Sequence, residues 1–270
     1  LKPLREVIAQ YGLGATKALG QNFLLDLNLT QKIARAGGDL SGCTAIEIGP
    51  GPGGLTRALL NTQAEKVIAI EYDPRCVLAL EELAAAYPDK LELLHRDALE
   101  TDVSVLGKAP RAVVANLPYN IATPLLLNFL RQSTAYKSLT LMFQREVAER
   151  LVAKPRTKAY GRLSVMTQWR MEAKILFDVH RSAFTPPPKI TSTVVQLIPR
   201  LETQSIDFTA MERVVAAAFG QRRKMLRQSL KSLGDIEALL EKAGIEPTAR
   251  AEELGVEDFI RLTEFYTFGS

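Results

Sequence analysis

Residues Asn116-Leu117-Pro118-Tyr119 close the apolar run that begins at Ala112. A buried parallel strand opening into such a turn would present an amide, a carbonyl and an aromatic ring at one point. Together these suit a flat ring that bears an amino group. The Asn116 oxygen and the Leu117 carbonyl can both accept from one exocyclic NH2, while Tyr119 stacks on the ring face. Pro118 fixes one φ and has no N–H, so the turn is stiff. A local proline turn, with Asn bonding its own backbone, would use the same four residues. The neighbouring motifs decide between the two.

Upstream, Glu47-Ile48-Gly49-Pro50-Gly51-Pro52-Gly53-Gly54 follows a short apolar run and opens a helical pattern. A doubly wound fold binds a nucleotide-like ligand at that place, where glycines let the backbone come close. Gly49, Gly51 and Gly54 satisfy G-x-G-x-x-G, and Glu71 follows about 20 residues later, able to bind ribose hydroxyls. A nicotinamide dinucleotide and S-adenosylmethionine fit this pattern equally, because both place an adenosine there. Asp97, in His95-Arg96-Asp97-Ala98-Leu99, can accept from an adenine amino group, although alone it also reads as a helix cap or loop residue. The Asn116–Tyr119 turn offers no acid or base suited to hydride transfer.

Strand and helix patterns that would position these groups alternate along the chain. Strands are expected at 44–48, 66–70, 91–94, 111–115 and 138–143, with helices at 53–61, 75–86, 123–130 and 144–152. Strict alternation points to a doubly wound parallel sheet. Residues 174–179 and 192–199 read as late strands flanking Phe184-Thr185-Pro186-Pro187-Pro188-Lys189, an antiparallel pair at the sheet edge. From Asp207 the pattern is helical, interrupted at Gly220, Gly234 and Gly244 to Pro247. A boundary near residue 201 is expected, giving domains 1–200 and 201–270.

At 270 residues, 47% hydrophobic and 24% charged, the chain can bury one large core with a small domain beside it. The uncharged stretch from Ala112 to Leu130 contains Asn116, Pro118, Asn120, Pro124 and Asn128, which argues against a membrane span. The N-terminal residues lack the apolar core and cleavage site of a secretory signal, so a cytoplasmic location is expected, or an organelle matrix after processing. Cys43, Cys76, His95 and His180 are scattered, which speaks against a disulfide framework or a zinc site. The net charge of +4 is a weak pointer to an anionic partner. Its distribution says more. Residues 154–189 carry Lys154, Arg156, Lys158, Arg162, Arg170, Lys174, Arg181 and Lys189 against Glu172 and Asp178. A second cluster is Arg222, Arg223, Lys224, Arg227 and Lys231, of which Arg223, Arg227 and Lys231 would share one face of a helix, with Phe219, Leu226, Leu230 and Leu233 on another. Such a cluster can be a solvated helix face or a nucleic-acid contact.

Taken in order, the motifs resemble those of the ribosomal RNA adenine dimethyltransferases. The resemblance runs through Gly20-Gln21-Asn22-Phe23-Leu24 with Asp26, Glu47 to Thr56, Ile70-Glu71, Asp97-Ala98, Asn116 to Asn120, Tyr160 to Val165, Phe184 to Ser192, and Phe219 with Arg222-Arg223-Lys224. Each is short, but the order and spacing are specific. Arg96, just before the acid, is not required by the pattern. The resemblance implies an α/β class I S-adenosylmethionine-dependent methyltransferase, a Rossmann-like doubly wound sheet with a small all-helical C-terminal RNA-binding domain. The implied reaction dimethylates N6 of two adjacent adenosines in a hairpin near the 3′ end of small-subunit (16S) rRNA. Cofactor contacts would fall on Asn22, Leu24, Gly49, Gly51, Glu71, Asp97 and Asn116. The catalytic turn would be Asn116, Leu117, Pro118 and Tyr119, with Phe184 beside the target base. Lys189, Arg222, Arg223, Lys224, Arg227 and Lys231 would meet phosphates. Partners would be the small ribosomal subunit and its RNA, with no metal and no membrane, and the chain a monomer.

The chemistry agrees with these residues. An aryl amine is a poor nucleophile because its lone pair is delocalised into the ring, whereas a sulfonium methyl is a strong electrophile. Geometry matters more than a base: two acceptors would pull the amine towards a tetrahedral shape and aim its lone pair. Other readings of the same residues are a sister enzyme acting on large-subunit rRNA, a nicotinamide oxidoreductase, and a non-catalytic assembly or transcription factor. Leu117 and the Phe184–Lys189 and Phe219–Lys224 segments favour the small-subunit enzyme.

Overall fold

The computed structural model describes residues 1–14, 21–201, 206–221 and 223–268. The chain forms two compact units, Leu1–Ala148 with Lys174–Pro199, and Glu149–Ala173 with Arg200–Ser270.

The first unit begins with α1 (Leu4–Gln10), β1 (Phe23–Leu24) and α2 (Leu27–Ala36). Alternating elements follow: β2 (Thr44–Ile48), α3 (Gly54–Leu60), β3 (Lys66–Glu71), α4 (Pro74–Ala86), β4 (Leu91–His95), β5 (Arg111–Asn116), α5 (Ala122–Arg131) and β6 (Ser138–Gln144). After α6 (Arg145–Leu151) and α7 (Arg162–Arg170) come β7 (Met171–Val179), β8 (Phe184–Thr185) and β9 (Ser192–Pro199). Seven strands make one sheet in the order β4-β3-β2-β5-β6-β9-β7. Strands β2 to β6 are parallel to one another. β2 is buried throughout and β6 almost so, as befits central strands of a sheet covered on both faces. Of the two late strands, β9 lies inside, antiparallel to β6 from Leu139↔Leu197 to Gln144↔Ser192, and β7 takes the edge.

This order places the site. The chain leaves β2 towards β3 on one side, and β5 pairs with β2 on the other. The loops after β2 and β5 therefore diverge, and a crevice opens at the carboxyl ends of the two strands. Both motifs singled out above leave the sheet here.

The second unit is helical, with α7, α8 (Phe208–Gly220), α9 (Leu226–Ser229), α10 (Ile236–Ala243) and α11 (Val256–Phe268). It takes in residues 149–173, which the linear reading assigns to the first domain. The cause is apolar burial: Trp169 stacks on Phe208 with ring centroids 5.6 Å apart, and the Tyr160 hydroxyl donates to the Leu254 carbonyl at 2.8 Å. Tyr160 and Phe219 belong to one aromatic cluster with Phe259. The Tyr160–Val165 motif thus builds a core in this unit. The expected helix carrying Arg223, Arg227 and Lys231 on one face is also corrected. α8 ends at Gly220, Met225 is extended, α9 has four residues, and Lys231 lies in a 3-10 turn that Gly234 closes at φ 111°. Spacing by four defines a face only within an unbroken helix. Leu226 and Leu230 are buried all the same, and Arg223, Lys224, Arg227 and Lys231 are exposed. Among the described residues none of these four basic side chains has an ion-pair partner. Arg222 lies outside the described residues.

Candidate active site

The turn after β2 is shaped by close approach. Gly51 has φ 56°, and a Cβ there would stand 2.9 Å from the Phe23 ring; a Cβ on Gly54 would stand 2.5 Å from the Leu24 carbonyl oxygen. The segment Gln21–Leu24 therefore lies against the glycine turn as a strap. Gln21 donates to Asp73 at 2.9 Å, and β1 pairs with β8 through Phe23↔Thr185 and Leu24↔Phe184. Asp73 in turn accepts from the Arg75 guanidinium at 2.7 and 3.0 Å, which holds its carboxyl down to about 2.

Glu71, at the end of β3, is built into the same turn. Its Oε2 accepts from Gly51 N at 3.0 Å, and its Oε1 accepts from Tyr72 N and Asp73 N, each at 2.8 Å. Burial nevertheless raises its pKa. A carboxylate offers about four acceptor positions and three are used, so one remains for a ligand hydroxyl. Asp97 also divides its oxygens: Oδ1 accepts from Leu99 N at 2.8 Å, as a turn cap would, while Oδ2 is available. Glu71 and Asp97 line one crevice together with Glu47, Asn22, Leu24 and Asn116. Tyr72, 60% exposed, also lines it; the sequence reading missed it, although it directly follows Glu71 at the strand end.

The Asn116 amide is oriented by the strap. Its Nδ2 donates to the Asn22 carbonyl at 3.1 Å. A carbonyl can only accept, so the NH2 end must face Asn22, and the Oδ1 end is the acceptor the side chain offers elsewhere. Leu117 is buried and Pro118 packs beside Gly49, so the turn has a rigid base. Tyr119 is half-buried, and its hydroxyl shares a short hydrogen bond with the buried Ser192 hydroxyl on β9. Ser192 closes the Phe184 to Ser192 motif, but its contact with Tyr119, 73 positions away, was not expected.

Phe184, expected beside a target base, is 2% exposed, belongs to the core cluster with Leu24 and Val194, and is not among the residues that line the crevice. Lys189 is exposed. The basic run 154–189 is divided between the two units, and Arg162 is engaged with Glu212 at 2.7 Å.

Known proteins resemble the chain over nearly its whole length. A protein called ribosomal RNA small subunit methyltransferase A from Paramagnetospirillum magneticum is 62% identical over 97% of this chain and 94% of its own length. One of that name from Rhodospirillum rubrum is 60% identical over 97% and 91%. Among solved structures, a dimethyladenosine transferase from Plasmodium falciparum superposes with a TM-score of 0.77 at 28% identity, covering 90% of this chain and 97% of that one. The 23S rRNA methyltransferase ErmE gives 0.67 at 29%, covering 91% and 100%. The profile of the ribosomal RNA adenine dimethylase family matches residues 13–267, and the chain belongs to that family.

Proposed function

We propose that this chain dimethylates N6 of two adjacent adenosines in a hairpin loop near the 3′ end of small-subunit (16S) rRNA, as part of assembly of that subunit. It is an S-adenosylmethionine-dependent rRNA adenine dimethyltransferase. The observation that carries the site reading is the Asn116 amide, whose orientation is fixed by the Asn22 carbonyl at 3.1 Å.

The crevice fits the cofactor. An acceptor position on Glu71 suits a ribose hydroxyl, Asp97 Oδ2 suits an adenine amino group, and the exposed Tyr72 ring suits a purine face. A side chain at Gly51 or Gly54 would collide with the strap, so the turn stays open to a ligand on its crevice side. When bound, S-adenosylmethionine supplies an electrophilic methyl group on a sulfonium centre. The protein then has to bring one amine to that carbon in line. Asn116 Oδ1 and the Leu117 carbonyl accept from the amine and hold its lone pair in place. Tyr119, braced by Ser192, stacks on the splayed-out base. The product nitrogen is acidic enough to lose its proton to solvent, so no residue is needed as a base.

Identities of 62% and 60% to relatives called small subunit methyltransferases favour the small subunit over the large one, the substrate named for the 29% identical ErmE. The deciding experiment is methyl transfer from labelled S-adenosylmethionine to unmodified small subunits, with mass spectrometry of the nucleosides. Dimethyladenosine in 16S rRNA is the expected product. Transfer to large subunits alone would overturn the assignment.

Arg223, Arg227 and Lys231, exposed and without ion-pair partners among the described residues, are assigned to phosphates. Replacing all three with Gln should reduce the slope of log affinity for subunits against log salt by about 2 to 3, because each contact releases condensed counterions. Cofactor affinity should not change. Filter binding over a salt series reads this directly, and an unaltered slope would return the cluster to simple surface solvation.

A further inference from the structure

The strap that orients Asn116 is itself held, and the residue that holds it has no part in the steps above. Gln21, half-buried at the first position of the strap, donates from Nε2 to Asp73 Oδ2 at 2.9 Å. Asp73 is 3% exposed and its ionised carboxylate can only accept, so the NH2 end of Gln21 must face it. Asp73 is a fixed point. Its own N–H donates to Glu71 Oε1 at 2.8 Å, and its Oδ1 caps α4 by accepting from Arg75 N at 3.0 Å. The Arg75 guanidinium closes on both of its oxygens. A side chain locked from so many directions can support a neighbour without following its motion.

Beyond Asn22 the chain is held again. Phe23 and Leu24 pair with Thr185 and Phe184, and the Phe23 ring lies over Gly51. Asn22 therefore sits between two anchors, and its carbonyl accepts from Asn116 Nδ2 at 3.1 Å. Asp73 follows β3 and Asn116 ends β5, the two strands that flank β2 on opposite sides. The strap thus joins the turn that carries Glu71 to the turn that carries the amine acceptor, passing over the glycines between them. Two residues of strand pairing alone are a short tether. An amide rotates easily about its last torsion, so an Asn22 carbonyl that drifts lets the Asn116 Oδ1 end swing away. We propose that Gln21 is a positioning residue for methyl transfer: its bond to Asp73 fixes the Asn22 carbonyl, and that carbonyl fixes the Asn116 amide. This rests on Asn116 Oδ1 accepting from the target amine. Gln21 acts through Asn116 and takes no part in the transfer itself.

The test uses Gln21→Met, which keeps the length of the side chain and removes its donor. With S-adenosylmethionine and unmodified small subunits both saturating, the single-turnover rate should fall about tenfold, less than the hundredfold that a displacement of about 1 Å can cost at a reacting centre. Calorimetry should show S-adenosylhomocysteine binding within a fewfold of wild type. Weaker binding with a wild-type rate at saturation would make Gln21 a cofactor contact only and overturn the proposal. Gln21→Asn keeps the amide but falls one methylene short of Asp73, so its rate should lie between those of wild type and Gln21→Met. A double-mutant cycle separates positioning from a general structural defect. In Asn116→Ala the amide that Gln21 serves is gone, so adding Gln21→Met should slow transfer no further, whereas independent effects multiply. Multiplied losses would overturn the proposal. A reading without turnover comes from the side-chain amide signal of Asn116 in the free protein. Its Nδ2 protons should exchange with solvent several-fold faster in Gln21→Met, and unchanged exchange would count against Gln21 even if the rate fell. Failure of the amine-acceptor reading looks different: Asn116→Ala alone would then transfer methyl at the wild-type rate, while the exchange of the Asn116 amide in Gln21→Met would still rise.

Discussion

Asn116→Ala should lower the single-turnover rate of methyl transfer about a hundredfold, the loss of roughly 3 kcal/mol typical of removing one preorganised polar contact from a reacting centre. The amide does two jobs through its two ends. Nδ2 is tied to the Asn22 carbonyl, and Oδ1 is one of two acceptors offered to the target amine. RNA affinity should barely move, because phosphate contacts dominate it. Asn116→Asp separates the two ends. It keeps an acceptor but turns a second oxygen towards the Asn22 carbonyl, so it too should be slow, with cofactor affinity weakened by repulsion at the strap. Rapid-quench measurement on unmodified subunits gives the rate, and a near wild-type rate in the Ala variant would remove Asn116 from the chemistry.

Glu71→Gln should weaken cofactor binding by two orders of magnitude or more. The wild-type carboxylate accepts from three backbone N–H groups, one of them on Gly51. Glutamine has a single oxygen. If that oxygen serves Tyr72 and Asp73, its NH2 meets the Gly51 N–H donor to donor. One buried N–H left unpaired costs about 1–3 kcal/mol, and the acceptor offered to the ligand is lost as well. The melting temperature should fall by several degrees, since the glycine turn loses its tie to β3. The pH dependence has a definite sign. Burial raises the Glu71 pKa, and the carboxylate is the form that serves all three N–H groups and a ligand hydroxyl, so binding should strengthen as pH rises through that raised value. Calorimetry with S-adenosylhomocysteine distinguishes this from a residue that merely lines the pocket, for which the affinity would stay within a fewfold of wild type.

Residues whose role depends on local sequence were readable, and residues whose role depends on remote partners were not. Strands 44–48 and 192–199 stand at their expected bounds. The glycine turn, Glu71, Asp97 and the Asn116 turn all follow strand ends directly, so the sequence alone could assign them to one edge of the sheet. The strap could not be seen: its anchor is a two-residue pairing between Phe23–Leu24 and Phe184–Thr185. Phe184, paired opposite Leu24, is buried. Ser192 became part of the site through β9 lying next to β6, a sheet neighbour that periodicity does not reveal. Phe219, grouped with the leucines behind the basic cluster, instead joins Tyr160 and Phe259 in an aromatic core.

The position of β9 also fixes when this enzyme can exist during its own synthesis. A nascent chain that has emerged as far as α7 has all five parallel strands, the glycine turn and Tyr119, yet the outer edge of β6 still lacks its neighbour. Leu139, Leu141 and Phe143 pair with residues 193–197, among the last of this unit to be made. Until then a flat apolar edge with unpaired backbone groups is open to other chains, and Tyr119 has no Ser192 to hold it. Stalled or prematurely terminated chains ending between residues 152 and 191 should accordingly aggregate rather than accumulate as soluble fragments. Activity should arise in a single step as β9 docks.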